Sequence, residues 1–172
     1  MDASDLADQP TLPERPVVSD TSPLINLAGV GLLHLLPAVY GTIWVPEAVK
    51  REYAAGMRAG DPSLDEFEWI RVIPSVAVSP RLPPSLGAGE AHAISLAIAK
   101  NTRAILLDEQ LARAVARKWG LPVVGTLGVL VAARQSRLLA AVKPIIEMMV
   151  SQGRHISDSL YMQVLAVAGE ES

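Results

Sequence analysis

Short apolar runs alternate with segments of helical pattern along nearly the whole chain, and two of those runs end in aspartate. Residues 16–20 read as a buried strand closed by Asp20, and residues 104–108 as a strand closed by Asp108. Further strands are expected at 42–45, 69–73 and 122–124. Between them fall helices at 22–28, 31–36, 87–100 and 109–119, the last closed by Gly120. Another helix starts with Pro46 in its first turn, where a missing N–H costs nothing, and reaches Gly56 or Gly60. Helices also start at Thr126, near Leu139 and at Ser157, where Ser157 is an N-cap with Ile156 stapled to Tyr161. Residues 74–86, rich in proline and serine, form a loop. Parallel strands need long crossovers, so strands separated by helices imply βαβ units. The fold class is therefore α/β, with a mainly parallel central sheet and helices on both faces.

The chain has 172 residues, half of them apolar, which suits one domain with a sizeable core. A first stretch, residues 1–15, carries Asp2, Asp5, Asp8 and Glu14 against Arg15, and reads as a flexible acidic arm ahead of a single domain at 16–172. It has no basic start and no apolar run, so it does not read as a signal peptide. Residues 21–46 hold no charge, but prolines and glycines break them too often for a membrane span. The expectation is a soluble, cytoplasmic protein. Cysteine is absent, which excludes disulfides and thiolate chemistry. The formal charge is −3, and aromatics are 4%, so stacking platforms for bases are not expected. The arm supplies the whole of that negative charge, because acids and bases balance over 16–172.

Sites in open α/β sheets form outside the carboxyl ends of the strands. Asp20 and Asp108 both stand there. A strand-end aspartate also serves as a helix cap, but two carboxylates converging on one crevice repel unless a cation lies between them. In the helix from Pro46, Ala48, Val49 and Tyr53 form the apolar stripe, and Glu52 shares it four positions after Ala48. Glu47 instead faces Arg51 at i,i+4, as a solvent-side ion pair. In the helix from Gly87 the stripe is Ala93, Ile94, Ala97 and Ile98, with Glu90 one turn before Ile94. A first-turn glutamate also complements the helix dipole. Asp20, Glu52, Glu90 and Asp108 together make a hard-oxygen set suited to Mg²⁺ or Mn²⁺. Metal-assisted phosphodiester hydrolysis is the chemistry that uses such a set.

The stretches Val17-Val18-Ser19-Asp20-Thr21-Ser22, Val45-Pro46-Glu47-Ala48-Val49-Lys50-Arg51-Glu52, Gly87-Ala88-Gly89-Glu90-Ala91 and Leu106-Leu107-Asp108-Glu109 stand in that order. In these the chain resembles the PIN-domain family of metal-dependent nucleases, most of all a prokaryotic nucleic-acid-binding subgroup related to VapC-type toxins. The resemblance runs from Pro16 to Glu170. It implies a three-layer α/β/α sandwich, and places the family's acids on Asp20, Glu52, Glu90 and Asp108. It implies endoribonuclease activity with Mg²⁺ or Mn²⁺ on an RNA substrate. It further implies the toxin of a toxin–antitoxin pair, with an antitoxin protein as partner and a homodimer as the common assembly. The third acid is often aspartate in the family and is Glu90 here; Glu109 and Gln110 follow the fourth acid.

Thr21, Ser22 and Thr126 border the expected crevice and are candidates to hold substrate; Ser22 and Thr126 are also N-cap candidates. Residues 110–157 carry seven basic side chains against one acid, a stretch able to track a phosphate backbone or to meet an antitoxin. Arg113 is the nearest of these to Asp108 and is assigned to steadying a phosphate or an acid. His92 lies two positions from Glu90 and points away from it; no histidine is read as a ligand. A catalytically weak module that binds RNA or a partner protein is the alternative function. An aspartyl-phosphate enzyme is disfavoured because Ser22 stands where a second aspartate is usual.

Overall fold

The computed structural model describes residues 15–170. The acidic arm read from 1–15 falls, except for Arg15, outside the described residues. The elements in order are β1 (Val17–Ser19), α1 (Thr21–Gly29), α2 (Leu35–Tyr40), β2 (Ile43–Pro46), α3 (Glu47–Gly56), β3 (Ile70–Ile73) and α4 (Ala88–Ala99). Then come β4 (Ala104–Leu106), α5 (Gln110–Lys118), β5 (Val123–Val124), α6 (Thr126–Gln135), α7 (Lys143–Ser151) and α8 (Asp158–Ala168). A 3₁₀ turn at Leu64–Glu66 was not expected; Ser63 N–H donates to the Glu66 carboxylate at 2.7 Å and stabilises it.

The five strands lie in the order β3-β2-β1-β4-β5, and every pair is parallel. The chain builds outward from β1 through β2 to β3, then returns to lay β4 on the other side of β1. The strand order therefore switches between β1 and β4, the point where such sheets open a crevice. Ser19 is in register with Leu106, so Asp20 and Asp108 leave neighbouring strands at the same end of the sheet. α4 packs across β1, β2 and β4, while α2 packs on β2 and on α6, which carries α8. This is the three-layer α/β/α sandwich that the resemblance implies.

Valines, isoleucines and leucines fill the strands because both faces are covered. Val18, Ile43, Val45, Ile105 and Leu106 are fully buried. α3 buries the expected Ala48, Val49 and Tyr53. α4 lies between the sheet, α3 and α5, so it buries Ser95 and Leu96 besides Ala93, Ile94 and Ala97.

Several boundaries move. The helix expected at 31–36 lies at Leu35–Tyr40. Gly31 takes φ +70° and breaks the chain there, while Pro37 fits the first turn of the later helix, whose N–H groups are unpaired anyway. Pro46 ends β2 and precedes α3, where the reading had it inside the helix. The helix expected near Leu139 starts at Lys143, with Pro144 in its first turn. Ser157 caps α8, accepting from Leu160 N–H at 3.3 Å. Among the described residues no helix is long and apolar enough to cross a membrane.

Candidate active site

Asp20 follows β1 directly, and its backbone N–H donates to Leu106 O at 3.0 Å, continuing the ladder one residue past the strand. The main chain thus fixes its side chain at the switch point. Asp20 is 2% exposed, and its Oδ1 is buried with no hydrogen-bond partner. Burial raises its pKa to about 7; the Thr21 N–H opposes the rise, and Glu90, Glu52 and Asp108 add to it. The three other acids therefore all bear on Asp20.

Glu52 reaches in from α3. Its Oε2 accepts from Thr21 Oγ1 at 2.9 Å, and its Oε1 accepts from Gly89 N–H at 2.8 Å. It ties α1 and α3 to the start of α4. A Cβ at Gly89 would displace the Glu52 carboxylate and lie 3.1 Å from Asp20 Oδ1. Asp20 and Glu52 thus meet over a bare stretch of backbone. Glu90 does not join them. Its Oε2 accepts from Gly87 N–H at 2.9 Å, so it caps its own helix and reaches Asp20 only through the field of its charge.

Asp108 is held by three donors. Thr126 N–H reaches Oδ1 at 2.7 Å, and Oδ2 accepts from Thr126 Oγ1 and Asn26 Nδ2, each at 2.7 Å. Asp108 therefore caps α6, with Gly125 and not Thr126 at the N-cap position. Thr126 is a donor to the acid. Ser22 also fails to cap: it lies inside the first turn of α1, and Asp20 occupies the N-cap position. Arg113 donates from Nη1 to Leu107 O at 2.8 Å, half-buried beside Gly125. Burial lowers its pKa, the Arg117 charge adds to this, and Asp108 opposes it. Arg113 is thus held by a backbone carbonyl rather than by an acid.

Glu109 precedes α5 and is exposed, while Gln110 borders the same groove as Asp108. The Glu47–Arg51 ion pair is absent among the described residues; Lys50 pairs with Asp65 instead, at 2.6 Å. Glu47 and Arg51 line a separate cleft with His92, whose Nδ1 lies 2.6 Å from Ala88 O.

A protein-family model described as DUF3368: PIN domain matches residues 16–170. The chain belongs to the PIN-domain family. PIN domains are generally nucleases and generally use divalent metals. No curated protein matches this chain.

The PIN-domain acids test unevenly as a metal seat. Among the described residues no group of three or more His, Asp or Glu is arranged to hold a metal ion. Glu52 and Asp108 have both carboxylate oxygens on protein donors, and Glu90 has one. Asp20 alone keeps a buried oxygen unpartnered. An orphaned carboxylate oxygen facing other acids fits a hard cation, since leaving it bare is costly.

Asn26 was missed. It reaches Asp108 from α1, and its own Oδ1 is buried without a partner. One signal was available: Asn26 falls four residues after Ser22 in an uncharged run, hence on the same helix face. Gly89 and Gly125 were missed as well, because a glycine's role in admitting a neighbour depends on what packs against it.

Proposed function

We propose that this PIN domain is a Mg²⁺- or Mn²⁺-dependent endoribonuclease that hydrolyses phosphodiester bonds. One observation carries the reading: Asp20 holds a buried, unpartnered oxygen at the sheet's switch point, with its charge opposed by three further acids. Asp20 and Glu52 would hold the cation, with Asp108 as third acid and Glu90 supporting them through its charge. When bound, such a cation lowers the pKa of a water and offsets charge on the phosphate. Thr21 keeps Glu52 turned toward the crevice, and Thr126 and Asn26 keep Asp108 in place. Thr126 and Ser22 border the path of the strand, and Arg113 offers its remaining N–H groups to a phosphate.

We also propose RNA as the substrate, a toxin role with an antitoxin partner, a homodimer and a cytoplasmic setting, all on the family resemblance. Exposed Met148, Val150 and Met162 on α7 and α8 support a protein interface. The alternative is a catalytically weak module that binds RNA or protein. It is favoured by the hydrogen bonds that already occupy Glu52, Glu90 and Asp108.

The deciding experiment is cleavage of single-stranded and structured RNA with Mn²⁺, beside Asp20→Asn and Asp108→Asn controls. The nuclease reading expects cleavage that EDTA stops and that Asp20→Asn reduces at least about 100-fold. Activity that survives EDTA would overturn the mechanism. Inactivity at saturating Mn²⁺ with RNA binding intact would establish the binding module.

A further inference from the structure

A groove of about 690 Å³ begins at Asp108 and Arg113 and runs away from the acids along α6 and α8. Its size falls among small-molecule sites, roughly 300–1,000 Å³. Leu127 and Val131 from α6 and Val164 from α8 give it apolar walls. Gln110, Gln135 and Gln163, from three different helices, supply amides along its rim, and all three are exposed. An amide donates and accepts in one plane, which is the pattern presented by the edge of a nucleobase.

The polar end differs from the rest. Arg113 is half-buried there, spends Nη1 on Leu107 O at 2.8 Å, and forms no ion pair among the described residues. Gly125 makes room for it: a Cβ there would crowd the guanidinium and lie 3.2 Å from Asp108 Oδ1. A guanidinium with donors to spare, beside the catalytic crevice, matches a phosphate in charge and shape. An apolar peptide would leave those donors unused.

We propose that this groove seats one nucleotide of the substrate strand, its phosphate on Arg113 and its base among the three glutamines, and so sets the base preference beside the cut. The inference rests on the nuclease reading for the strand, but its test needs neither cleavage nor metal.

The full chain is titrated, metal-free, with the four ribonucleoside 5′-monophosphates and with ribose 5-phosphate, and binding is read by amide NMR. Shifts are expected on α6 and α8 around Val131 and Gln163, with one base favoured by about 10-fold or more. Gln135→Leu and Gln163→Leu, both at exposed positions, should each cut that preference to less than about 3-fold. Arg113→Met should weaken all five ligands about 10-fold. Melting curves of each variant confirm folding. Equal binding of the four bases, ribose 5-phosphate binding as well as any nucleotide, or shifts elsewhere would overturn the proposal. So would a dimer in sedimentation whose formation abolishes the nucleotide-induced shifts. A chain that passes this test but cuts no RNA loses the nuclease reading and keeps the groove; one that cuts RNA and fails here does the reverse.

Discussion

Under the proposed function, Asp20 is the residue on which stability and chemistry pull in opposite directions. Its pKa stands near 7 in the fold against 3.8 for the free side chain, because burial disfavours the charged form. The folded state therefore holds a proton that the unfolded chain has released between those two values. Stability from this group is greatest in acid, falls as pH rises from about 4 to about 7, and stays low above that. A gap of about three pH units corresponds to about 4 kcal/mol at most. Asp20→Asn, which carries no charge, should raise the melting temperature at pH 8 and change it little at pH 4, while the proposed RNA cleavage falls. Melting curves at the two pH values check this; a lower melting point at pH 8 would show that the charged form is not strained. Gly89→Ala tests the same corner from the backbone side. The added methyl would push the Glu52 carboxylate off the Gly89 N–H, so a loss of about 1 kcal/mol in urea unfolding is expected.

Elements are joined here largely by carboxylates acting as caps on helices distant in sequence. Glu52 of α3 takes an N–H of α4, and Asp108 takes the first N–H of α6. Glu170, beyond α8, takes Val142 N–H at 2.6 Å and Lys143 N–H at 3.0 Å at the start of α7. Burial works to raise the Glu170 pKa; the two N–H groups and Arg134 outweigh it, leaving the carboxyl below its ordinary value. Its contribution is thus present above the ordinary glutamate pKa and is lost as pH falls through the lower folded value. Glu170→Ala should cost about 1 kcal/mol at pH 7 and nothing once the pH is below both values. Urea unfolding at two pH values measures the difference. The helix starts also show where local reading fails. The sequence offers serine and threonine as caps at Ser22 and Thr126, and local chemistry supports both. Tertiary packing brings a stronger acceptor, Asp108, to α6 from 18 residues away, and Thr126 becomes its donor instead.

For the whole molecule, the parallel sheet decides where chemistry is available. Placing β4 against β1 puts two strand-end aspartates at one end, and α3 and α4 bring two glutamates to the same end. A cation binding there should relieve the strain on Asp20 and stabilise the fold. Mn²⁺ at about 100 times its Kd adds about 2.7 kcal/mol. Wild type should therefore melt higher with Mn²⁺ than with EDTA, and Asp20→Asn should lose most of that difference. Equal shifts in both proteins would point to a cation bound elsewhere.

The strands, most helices and the position of Asp20, Glu52 and Asp108 at one end of the sheet were legible in the sequence. Each follows from local periodicity or from a place at the end of an apolar run, which neighbours along the chain determine. The partners of those acids were not legible. Asn26 meets Asp108 across 82 residues, and Gly89 meets Glu52 across 37. Glu90 shows the limit most plainly: the helix pattern places it on the inward face, and its own first turn then claims the carboxylate through Gly87. The sequence by itself determined an α/β chain with acids at the carboxyl ends of its strands. Only the tertiary structure decided which of those acids act as caps and which one, Asp20, keeps a buried oxygen unpartnered. The reason is physical: hydrogen bonds go to whichever donor packing delivers at the right distance, and no periodicity encodes that.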